Sequence, residues 1–115
     1  MKPEDEARLQ HILDSADKIL EIYSEVDFRK FSEDWRTQDL MIRHFEIIGE
    51  AAKHLSEELR NEYDDVEWRA VMGMRNLLIH QYFDVDVATV WNTVSWDLKP
   101  FKQKIEGILA KENKA

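Results

Sequence analysis

An arginine and a histidine stand five residues apart, at Arg75 and His80, within the string MRNLLIHQYFDVD of residues 74–86. A guanidinium is planar and permanently charged and can grip a phosphate at two points, while an imidazole with an ordinary pKa of about 6.5 exchanges protons near neutrality. Together they are the minimum kit for metal-free cleavage of an RNA phosphodiester. His80 would act as general base on the 2′-hydroxyl or as acid on the departing 5′-oxygen, and Arg75 would stabilise charge on the phosphorane. An isolated Arg and His at this spacing often serve as surface charge or a buried hydrogen bond. The full string says more: Arg75, Asn76, His80 and Tyr82 interrupt an otherwise apolar helix, where polar groups must be paired or line a cavity.

Helix geometry constrains how these groups meet. Five residues of separation put Arg75 and His80 about 140° apart on an ideal helix, so they converge only across the rim of a cleft or between two copies of a dimer. Asn76 and Gly73 share the face of His80. Tyr82, seven residues after Arg75, shares the face of Arg75, so a phosphate near its hydroxyl falls within reach of the guanidinium.

The elements that must position these residues read as helices throughout. Leu9, Ile12, Leu13, Ala16, Ile19, Leu20 and Tyr23 recur at three- and four-residue steps and predict a helix over Glu4–Tyr23, with Pro3 suited to its first turn. Residues 27–34 read as a short helical turn, with Asp27 and Ser32 as candidate caps. A long helix is expected from about Asp34 to Arg60, its stripe formed by Leu40, Met41, Phe45, Ile48, Ala51, Ala52, Leu55 and Leu59. Ile42 and Gly49 lie off that stripe and suggest a second contact surface, since Gly permits close backbone approach. Asp65 is the candidate cap of a third helix over about Val66–Tyr82, which is apolar nearly all round: Trp68, Met72 and Ile79 on one side, Leu77 opposite, Met74 and Leu78 between. Such a helix needs cover on several sides, and a second subunit would supply it. Asp86 caps an expected fourth helix, Val87–Leu98, and Pro100 marks the boundary before a last one ending near Lys111. The expected fold is all-α, a single domain over residues 1–115 built as an antiparallel bundle of four to five helices and paired as a homodimer.

Other chemistries fare worse. Glu46, Glu50 and His54 stack along one helix face as metal ligands could, but a carboxylate-bridged di-metal bundle needs inward Glu and Glu-x-x-His pairs from two helices. A solvated or interface face is expected instead, and no metal or cofactor. His44 falls on the apolar stripe and reads as a hydrogen-bonded core histidine; His11 has no partner pattern. The four tryptophans sit at helical spacing with apolar residues and read as core or dimer contacts. No Gly-rich phosphate loop, Ser-His-Asp order or HExxH is present.

The chain has 115 residues and no cysteine, which excludes disulfides, thiolate metal sites and a Cys nucleophile. With 16 basic and 24 acidic residues the net charge is −8, so any nucleic-acid contact must be local. The charged N-terminal stretch has no apolar core fit for a signal sequence, and no run suits a membrane span. A cytoplasmic protein is expected.

On these residues the sequence resembles the HEPN superfamily, and within it the HepT-like toxins. The family's Arg-polar-x-x-x-His-x-Tyr motif matches Arg75, Asn76, His80 and Tyr82, followed by Phe83 and the Val85-Asp86 pair. The string FEIIGEAAKHLS, residues 45–56, is similar to the family's second-helix block, with Ile-Gly-Glu-Ala at Ile48–Ala51, and the DLKP segment also fits. The resemblance spans nearly the whole chain. It implies a dimeric, metal-independent endoribonuclease toxin of a type VII-like toxin–antitoxin system, with Arg75 and His80 catalytic and Asn76 in support. It also implies a partner antitoxin, a minimal nucleotidyltransferase that transfers AMP from ATP to Tyr82. Nucleotides there would set negative charge and bulk beside Arg75 and obstruct an RNA phosphate. Glu50 matches a recurrent family position and is a candidate lining residue. The alternative is a non-catalytic helical dimer that binds a nucleotide or a partner protein, which the acidic charge favours.

Overall fold

Pro3 opens the first helix, where its missing N–H would have no intrahelical partner, and α1 runs Pro3–Glu25. The computed structural model describes residues 1–78 and 85–113, with Arg75 and Leu77 described through their backbone alone. Asp27 then caps α2, Phe28–Glu33, by accepting from the Lys30 N–H. Ser32 does not cap: its hydroxyl donates back to the Arg29 carbonyl. Asp34 caps α3, Trp35–Lys53, through the N–H groups of Arg36 and Thr37. The Thr37 hydroxyl also donates to it at 2.7 Å, and these hydrogen bonds hold its carboxyl below the usual carboxylate range.

The long second helix expected to reach Arg60 is two helices. α3 stops at Lys53, and α4, Glu57–Glu62, starts afresh from Ser56, whose hydroxyl accepts from the Leu59 N–H. Asp5 of α1 fixes the break: one carboxylate oxygen accepts the Ser56 N–H at 2.8 Å and the other its hydroxyl at 2.6 Å. That carboxylate belongs to a residue only 3% exposed, so its hydrogen bonds replace water. Asp5→Ala should therefore lower stability by about 2–3 kcal/mol in urea denaturation; a loss below about 0.5 kcal/mol would show that this clamp is idle.

α1 and α3 run antiparallel, as two cross-links at opposite ends establish: Asp5 meets Ser56, and Ser15 meets His44 at 3.4 Å. His44 is half-buried, and burial, with Lys18 and Arg43 nearby, lowers its imidazole pKa. Leu9, Ile12, Ala16 and Ile19 of α1 and Met41, Phe45, Ile48 and Ala52 of α3 are fully buried between the two. Leu40, placed on this stripe by periodicity, is instead 49% exposed.

The third helix is also divided. α5, Trp68–Met72, starts without the Asp65 cap; Glu67 precedes it with no side-chain bond to the helix, and the Asp65 carbonyl accepts from Lys104. α6, Met74–Leu78, begins after Gly73. The residues Ile79 to Asp84, which include His80 and Tyr82, lie outside the described residues. The Asp86 N–H donates to the Leu78 carbonyl at 2.9 Å, so the chain returns to the end of α6 before α7 begins.

Asp86 caps α7, Val87–Asn92, through the Thr89 N–H and hydroxyl. From there the helix does not break at Pro100. It widens into a π-helical stretch, Thr93–Leu98, and continues as α8, Lys99–Glu112, with Pro100 in its first turn. Proline lacks the N–H that an α-turn would use and its ring crowds the preceding turn, so a wider winding ahead of it keeps the helix running. α8 packs antiparallel to α1, where Lys102 pairs with Asp17 and Ser95 of the π stretch with Tyr23. Trp91 closes this end against Tyr23, Phe28 and Phe31. The architecture is all-α; no strand occurs among the described residues, and no described helix is long and apolar enough to cross a membrane.

Candidate active site

Gly49 sets how closely α3 and α5 approach. A Cβ built there would lie 3.1 Å from the Val71 carbonyl oxygen, tighter than side chains tolerate, so the two backbones touch where only glycine fits. This is the second surface that Ile42 and Gly49 suggested, and both are buried. Beside the contact the helices diverge and leave a cleft of about 420 Å³.

One wall is the α3 face carrying Arg43, Glu46, Ile47, Glu50 and Lys53, spaced three or four residues apart as one helix face requires. The opposite wall is Met72, Gly73 and Asn76. Phe45, fully buried, closes the inner end. Asn76 and Glu50, two of the site residues expected from sequence, are both exposed and line this one cleft. Gly73 lines it too, on the face it was expected to share with Asn76. Arg75 is the chain neighbour of Asn76 on α6, described there through its backbone only. Its angular relation to His80 and Tyr82 involves positions outside the described residues.

Glu50 also holds a partner: its Oε1 lies 3.0 Å from His54 Nε2, one turn along α3. Both side chains are solvent-exposed. Among the described residues no three His, Asp or Glu side chains gather as a metal site. The sequence reading missed Arg43 and Lys53 as cleft residues. Their signal was the helical spacing 43, 46, 50, 53, a charged stripe running past the one glycine of α3.

A second depression, about 470 Å³, lies on the other side of α5–α6, between them and the π-helical run. It is lined mainly by apolar residues, among them Val71, Met74, Leu78 and Phe101, with Trp96 on its edge. Trp96 is 76% exposed and Trp35 60%, so these two tryptophans are surface residues, unlike buried Trp68.

Residues 12–108 match the family model described as Ribonuclease HepT-like. The chain belongs to the HepT-like ribonuclease family. Among HepT-like relatives, a Thermococcus cleftensis protein named "Probable ribonuclease HepT" is 38% identical over 106 residues, covering 92% of this chain and 96% of its own. A Methanocaldococcus jannaschii protein provisionally named an RNase is 34% identical over 100 residues, 87% of this chain and 92% of its own. A third, from Caldanaerobacter subterraneus subsp. tengcongensis and also provisionally named an RNase, is 35% identical over 104 residues, with 90% and 93% covered. No solved structure shows a significant match to this HepT-like chain.

Proposed function

We propose that this chain is the endoribonuclease toxin of a type VII-like toxin–antitoxin pair, acting in the cytoplasm as a homodimer without a metal. The observation that carries the reading is the cleft at the α3–α6 joint, which gathers Asn76 and Glu50 next to the Arg75 backbone in a HepT-like chain. His80 takes the proton of an RNA 2′-hydroxyl, the 2′-oxygen attacks phosphorus and the 5′-oxygen leaves, giving a 2′,3′-cyclic phosphate and a 5′-hydroxyl. Arg75 bears the charge that builds on the non-bridging oxygens, and Asn76 supports it from the cleft wall. The apolar depression edged by Trp96 supports the dimer, because α5–α6 keeps apolar surface that this chain leaves open.

Tyr82 is the proposed off-switch. In the presence of a minimal nucleotidyltransferase its oxygen attacks the α-phosphorus of ATP, pyrophosphate leaves, and AMP remains on the ring. Expressed alone, the chain should slow growth and cut total cellular RNA. Co-expressed with a neighbouring nucleotidyltransferase, it should be inert and carry one or more AMP units on Tyr82 by mass spectrometry. A folded, unmodified protein that leaves RNA intact overturns the ribonuclease reading; a neutralised complex with no added mass at Tyr82 replaces modification with steric masking.

A further inference from the structure

The cleft has features that cleavage alone does not require. Its floor holds two glycines, Gly49 and Gly73, so a flat ring can approach the backbone without meeting a side chain. Ile47 and Met72 supply apolar surface on facing walls, and Glu46 and Glu50 set two carboxylates one turn apart along one of them. Arg43 and Lys53 stand at the two ends, ten residues or about 15 Å apart along α3.

We propose that this cleft receives one unpaired nucleotide of the RNA and selects its base, favouring guanine and rejecting uracil. The inference rests on the ribonuclease reading above and names the substrate feature that the site recognises. Ionised carboxylates only accept hydrogen bonds. Guanine offers two adjacent donors, N1–H and N2–H, which match the two oxygens of one carboxylate. Adenine and cytosine offer a single amino group, and uracil turns two carbonyl oxygens toward the same edge, which the carboxylates repel. Sequence-specific recognition of RNA typically works this way, on splayed single-stranded bases rather than on helices. Arg43 and Lys53 take the phosphates on either side. Two such contacts are a local interaction that a chain of net charge −8 can sustain, and they predict a single-strand salt slope of only about −1.4.

The test is fluorescence anisotropy with short 2′-O-methyl oligouridylates carrying one central G, A, C or U; the methyl group blocks cleavage, so binding is read apart from chemistry. The central-G probe should bind wild type about tenfold more tightly than the central-U probe. Glu46→Gln with Glu50→Gln should reduce that preference to within twofold. Arg43→Ala with Lys53→Ala should weaken all four probes alike and flatten the salt dependence. Four probes that bind wild type within twofold of one another overturn the proposal, without recourse to any variant, and so does a preference that survives the double glutamine change. Selective binding by a folded protein that does not cut unmodified RNA sinks the ribonuclease reading and leaves the base preference standing.

Discussion

His80→Ala should lower the rate of RNA cleavage by about 10²- to 10⁴-fold, the usual contribution of a positioned acid or base. Arg75→Ala should cost about 10²- to 10³-fold, as loss of a charge-stabilising donor typically does. The two together should fall well short of the product of their separate effects, because groups that act on one transition state are not additive. Single-turnover cleavage of a fluorogenic RNA reads all three, with thermal melting to confirm that each variant is folded. A folded His80→Ala protein retaining activity within threefold of wild type would remove the imidazole from the mechanism. Asn76→Ala provides the graded comparison: the side chain is exposed, so its loss should spare the fold while slowing cleavage less than either change above.

The largest effect on stability is expected at Phe45. Its ring is fully buried and lines both the polar cleft and the apolar depression, so it is the partition between them. Phe45→Ala should cost about 3–5 kcal/mol in denaturant unfolding, through lost apolar burial and the cavity left behind. Because the partition would open, cleavage should also fall at temperatures where the variant remains folded. Leu40→Ala on the same helix is the control, since a half-exposed leucine should change stability by no more than about 0.5 kcal/mol. A Phe45→Ala cost below about 1 kcal/mol would mean the surroundings collapse to refill the space.

Periodicity located α1 and the buried face of α3 well, because residues such as Leu9, Ile12, Phe45 and Ile48 bury against one another over many turns. It overran at Lys53. Leu55 and Leu59 are both buried and stand at helical spacing, so the stripe continues across a break that the backbone does make. Ser56 followed by Glu57 and Glu58 was the readable sign of a new helix start, but its real anchor, Asp5, is 51 residues away and invisible to local pattern. Gly73 was similarly legible as an interruption, whereas the missing Asp65 cap was not, since its carbonyl is taken by Lys104 from a distant helix. For the site, a helical wheel put Gly73 and Asn76 on one face, and both line the cleft. Arg43 and Lys53 escaped notice because a wheel shows which residues share a face and not what lies opposite. The roles of Arg75, His80 and Tyr82 rest on the motif.

The π-helical stretch from Thr93 to Leu98 also acts as a register adjuster. Val90, Val94 and Leu98 follow one another at uniform four-residue steps and all are buried. In an unbroken α-helix such steps drift around the axis by about 40° each, so the third would leave the face that the first occupies. A wider winding absorbs that drift, then hands over to α8, where Phe101, Ile105 and Ile108 resume the ordinary alternation of three and four. The segment thus behaves as a helix storing one surplus residue, and shortening it by one would tighten the coil and swing everything after it by about 100°. Lys102 would turn away from Asp17 and Ile105 out of the core, although every side chain on the rest of the helix would be unchanged.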